Sequence, residues 1–124
     1  MLADQSPFPP TKAYRKPPRA RRMPSERLEI TLHDLVGERG RIIIHREVPW
    51  ASITFAGTRH NLTLSFTGAE AVAAGENLLA ILPDHEFAIP GQIVADAQVL
   101  RVDHAMLPEP AMRVEIELLL LEDA

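Results

Sequence analysis

The sequence predicts an α+β domain: a single helix packed on a curled antiparallel sheet of about six strands, preceded by a disordered N-terminal arm. Three observations carry this reading. One stretch in the middle of the chain has both a helix start and a helix stop signal. Apolar residues alternate with polar ones on either side of it. Prolines and basic residues crowd the first 27 of the 124 residues.

The helix is expected from about Ala69 to Leu82. Thr67-Gly68-Ala69-Glu70 has the form of a capping box, in which the Thr67 hydroxyl accepts from the Glu70 amide and the Glu70 carboxylate reaches back to the Thr67 amide. Val72, Leu79 and Leu82 form a stripe that Leu78 and Ile81 widen, and Pro83 stops the helix. Gly75 sits in its middle at a cost of about 1 kcal/mol relative to alanine. Either something packs closely there or the helix tolerates the glycine.

Before the helix, Leu28, Ile30 and Leu32 alternate with Glu29 and Thr31 as in a half-buried strand. Gly37 to Gly40 reads as a turn, Arg41 to Glu47 as a β-branched strand ended by Pro49. Trp50 to Ala56 and Asn61 to Phe66 read as a hairpin turning at Gly57 to His60.

After the helix come two long strands, Gln92 to His104 and Ala111 to Glu122, joined through Leu107-Pro108-Glu109-Pro110. Strands of that length must twist and curl. A long sheet curled around one helix is similar in layout to the hot-dog architecture. In the last strand Val114, Ile116, Leu118 and Leu120 form one face, while the other changes from Glu115 and Glu117 to Leu119 and Leu121. An end that is apolar on both sides implies a cover for Leu119 and Leu121: a second copy, the arm, a partner or a loop of the same chain. A homodimer is the expectation.

Charge divides the chain. Residues 1 to 27 hold six of the eleven prolines and seven basic against two acidic residues, a net +5, which leaves −9 for residues 28 to 124 out of a total of −4. Such an arm has too little apolar surface to order itself, so the folded domain is expected to span 28 to 124. Arg15, Lys16, Arg19, Arg21 and Arg22, beside Tyr14, are the residues with which it would dock on an acidic surface or on phosphates.

No cysteine is present, which excludes disulfides and thiolate metal sites. No apolar run suggests a signal peptide or a membrane span, so a cytoplasmic protein is the default expectation. Walker A, G-x-G-x-x-G and G-x-S-x-G motifs are absent, and so are the spacings H-x3-H, H-E-x-x-H and D-x-D-x-D-G. No cofactor and no metal are therefore expected. Of the five histidines, His33 and His60 fall in or beside expected turns and His45 in a strand that alternates poorly. The densest polar group is Asp84-His85-Glu86, which would be the acid/base residues of an enzyme if they converged.

The function these features favour is a non-enzymatic interaction module, self-associating through the C-terminal strand, with its basic arm docking on an acidic surface. The alternatives are a small enzyme or binder of an acyl-like ligand, with a helix–sheet pocket near Asp84 to Glu86, and a nucleic-acid accessory protein acting through the arm.

Overall fold

The computed structural model describes residues 23–123. In chain order they form α1 (Pro24–Leu35), β1 (Arg41–Ala51), β2 (Ala56–Thr67), α2 (Ala69–Ile81), a short 3-10 turn (Leu82–Asp84), β3 (Gln92–Ala105) and β4 (Ala111–Glu122). The class is α+β, as expected, with an antiparallel sheet, but the described residues form two helices and four strands. The hot-dog layout is not matched.

The difference in strand count has two local causes. Leu28 to Leu32 is helical, because Leu28 and Leu32 stand four residues apart and both are fully buried, while Ile30 between them is exposed. Pro24 occupies the first turn, where its missing N–H costs nothing, and the Glu26 carboxylate accepts from the Met23 amide at 3.2 Å. A glycine C-cap closes the helix. Gly37 adopts φ +63°, the Glu38 amide donates to His33 O at 2.9 Å and the Gly37 amide to Asp34 O at 3.3 Å. Helix α1 thus begins inside the stretch assigned to the arm, and Arg27 belongs to the fold. Its Nη1 donates to Pro90 O at 2.7 Å.

The second cause is that the strands expected at 41–47 and 50–56 are one. β1 continues through Pro49 because it is an edge strand, where a missing N–H breaks no interior ladder. The hairpin turns at Ser52 to Phe55 instead of 57 to 60, with the Ser52 amide donating to Phe55 O at 2.7 Å and the Ser52 hydroxyl accepting from the Phe55 amide at 3.0 Å.

The sheet order is β1-β2-β4-β3, with every neighbouring pair antiparallel. β2 and β3 therefore run parallel with β4 between them, joined by α2 in a split β-α-β unit. Register fixes the two faces. Leu62, Leu64 and Phe66 of β2 stand opposite Ile116, Val114 and Met112 of β4, and all six are buried in the core. Helix α2 packs on this face: a Cβ at Gly75 would meet the Met112 side chain and come within 2.9 Å of the Phe66 ring, so close packing accounts for the glycine. The expected capping box is not formed. Gly68, at φ +97°, is the N-cap, Thr67 remains in the ladder opposite Ala111, and Glu70 pairs with Arg39. No helix among the described residues is long and apolar enough to cross a membrane.

Candidate functional site

The inner face of the sheet carries one polar group in an apolar setting. His60 follows Leu62 on the inner side of β2 and is 1% exposed, the one buried polar residue among those described. Across the β1 ladder Glu47 stands opposite His60, and His45 opposite Leu62, so the side chains of His45, Glu47 and His60 share that face.

Helix α1 closes the group from above. His45 Nδ1 lies 2.6 Å from Glu29 Oε2, so its N–H donates to the carboxylate, and His45 Nε2 lies 2.9 Å from His60 Nδ1. The rings are tilted at 53° with centroids 5.1 Å apart. A hydrogen-bonded chain Glu29–His45–His60 thus runs from a part-exposed carboxylate on α1 into the core. It ends abruptly. His60 Nε2 is buried without a partner, whichever histidine holds the proton of the shared contact. An unmet polar atom of this kind costs about 1–3 kcal/mol. Burial lowers the His60 pKa below its usual value, the neighbouring His45 acts in the same direction, and Glu47 opposes both. Burial thus favours the neutral form of the inner histidine.

The residues chosen from the sequence lie elsewhere. Asp84 ends the 3-10 turn and Glu86 follows in the loop, both exposed, while His85 packs edge-on against the Phe87 ring at 4.7 Å. No hydrogen bond or ion pair among the described residues joins these three. Three surface concavities are lined in part by His33 and Asp34, by Asp103 and His104, and by Arg101 and Glu115, and none of them includes Asp84, His85 or Glu86. No protein-family profile, curated protein or solved structure matches the chain. Its chemistry must be read from its own side chains.

The outer face of the sheet is built from the alternate residues. Register places Trp50, Gly57, Leu121 and Ile93 in one row, and Val48, Arg59, Leu119 and Asp96 in the next. Leu119 and Leu121 are 9% and 8% exposed within the single chain, so no second copy is needed to bury them. Ile93, opposite Leu121, is 43% exposed, and Val48, across Arg59 from Leu119, is 58% exposed. β4 lies inside the sheet with both edges bonded, so it offers another chain a face and not an edge. Arg15, Lys16, Arg19, Arg21 and Arg22 lie outside the described residues.

Sequence reasoning missed His45 and His60 for a specific reason. The register shift between Ile42 and Ile44 breaks the alternation of the Arg41 to Glu47 run, and misplacing the hairpin turn put His60 in a loop. Two histidines and a glutamate flanking one turn within 16 residues were the available signal.

Proposed function

We propose that the chain is a non-enzymatic binding module that associates with a second copy of itself across the outer face of the sheet, at its apolar end, and that its basic N-terminal segment docks on an acidic surface. The observation that carries this reading is the exposed Ile93 opposite Leu121, with the exposed Val48 in the next row, across Arg59 from Leu119.

Charge favours a second copy as the occupant. Five of the seven arginines after residue 22 (Arg41, Arg46, Arg59, Arg101 and Arg113) fall on this face by register, with four acids, Asp96, Asp103, Glu115 and Glu117. The face is thus close to neutral on a domain that carries −9 over residues 23 to 124, seven basic against sixteen acidic. Two copies can bring near-neutral, mixed-sign patches together about a two-fold axis without the repulsion that any other pairing of acidic surfaces would meet. The edges are poorer contacts. Pro49 and a register shift interrupt β1, and two register shifts interrupt β3, features that discourage strand addition.

Light scattering on the full chain tests the reading. The wild type is expected at twice the chain mass, and Val48→Lys combined with Ile93→Lys at the chain mass with unchanged stability, since exposed positions of this kind usually shift stability by less than about 0.5 kcal/mol. A monomeric wild type at micromolar concentration would refute self-association.

A further inference from the structure

We propose that His45, Glu47 and His60 form a binding site for one divalent transition-metal ion of borderline softness, the class of zinc, with Glu29 as the residue that positions His45. The inference stands independently of the self-association reading.

A ring nitrogen from each histidine and a carboxylate oxygen of Glu47 all lie within 4.8 Å of one another. Two imidazole nitrogens and one carboxylate oxygen are a three-ligand set that suits zinc and leaves a fourth position for water or a ligand. The exposure of Glu47 opens the site on that side, while His60 closes it on the other. Two nitrogens bound to one zinc at a tetrahedral angle stand about 3.3 Å apart. The facing nitrogens of His45 and His60 are 2.9 Å apart, so a small opening of the pair admits the ion.

The second independent observation is the way the ligands are held. His45 gives its Nδ1–H to the Glu29 carboxylate at 2.6 Å, which fixes the tautomer that presents an Nε2 lone pair and raises the basicity of that nitrogen. This carboxylate–histidine arrangement is the one that metal-ligating histidines commonly show. His60 adds to the case. Its Nδ1 faces His45 Nε2 at 2.9 Å from a core position that is 1% exposed.

The test uses the full chain stripped with EDTA and dialysed, titrated with zinc sulfate by calorimetry and with cobalt(II) chloride by visible absorption. One equivalent of zinc is expected to bind and to raise Tm by roughly 10–20 °C at a hundredfold excess over Kd. Cobalt is expected to give the intense visible bands of a four-coordinate site. His60→Leu should abolish both responses while keeping the metal-free Tm at or above that of the wild type. Glu29→Gln should weaken binding about 10–100-fold, and Glu47→Gln, at an exposed position that does not threaten folding, by at least as much. Absence of stoichiometric binding overturns the proposal. So does a titration that His60→Leu leaves unchanged, since His33, His85 and His104 would then be the ligands; should that variant not fold, titrations unchanged in both Glu29→Gln and Glu47→Gln overturn it equally.

Discussion

At the scale of single residues, His60 concentrates the unusual physics of this chain. Its nitrogens are buried beside a second imidazole, and its pKa is depressed first by loss of solvent and then by the proximity of His45. Because the folded-state pKa lies below the unfolded value of about 6.5, the folded chain binds fewer protons than the unfolded chain once the pH falls under that value. Stability is then complete above about pH 6.5 and declines as pH falls below it, by at most about 1.4 kcal/mol per pH unit for one proton. Denaturant melts of the chelated protein between pH 7.5 and 5 should show this decline, and His60→Leu should flatten it. A wild-type curve as flat as the variant's would show that His60 carries no depressed pKa. The same substitution removes an unpartnered nitrogen from the core, so it should match or exceed the wild type in stability at pH 5.

At the scale of elements, α1 separates two readings of one pentapeptide, Leu28 to Leu32. As a strand, Leu28, Ile30 and Leu32 would all point inward. As a helix, Leu28 and Leu32 do and Ile30 does not, which is the burial observed. Leu32→Ala should therefore cost about 2–5 kcal/mol by the transfer and cavity cost of a core leucine, whereas Ile30→Lys should stay within about 0.5 kcal/mol. Equal, large losses in urea melts would restore the strand. The contrast also shows where the sequence was legible. β3 and β4 were found nearly to the residue because their alternation is long and their turn is rich in proline, and α2 because its apolar stripe ends at Pro83. α1 was lost because three apolar residues at even spacing satisfy a strand over five residues, and only the longer span to Val36, with Gly37 behind it, reveals the helical period. The candidate site was least legible of all. Its ligands lie on a hairpin whose register depends on one bulge and whose positioning carboxylate comes from the misread helix.

At the scale of the whole molecule, salt separates the two modes of association proposed for this chain. Residues 1 to 22 carry +5, six basic against one acidic, and residues 23 to 124 carry −9. The basic segment of one chain is attracted to the acidic domain of its own or another chain, over distances that shrink from a Debye length of about 10 Å at 0.1 M salt to about 3 Å at 1 M. The proposed contact across the apolar end of the outer sheet face would join near-neutral surfaces, so raising the salt would remove little from it. Mass measured by light scattering on the full chain and on a chain lacking residues 1 to 22, at both salt concentrations, resolves the two. Face-to-face association predicts dimers in all four conditions. Association through the basic segment predicts a dimer only for the full chain at low salt. In that second case the exposed Val48 and Ile93 would be ordinary surface residues, and the basic segment would be the place to seek a partner, with a phosphate-bearing polymer distinguished from an acidic protein by the linear fall of log affinity with log salt that counterion release imposes.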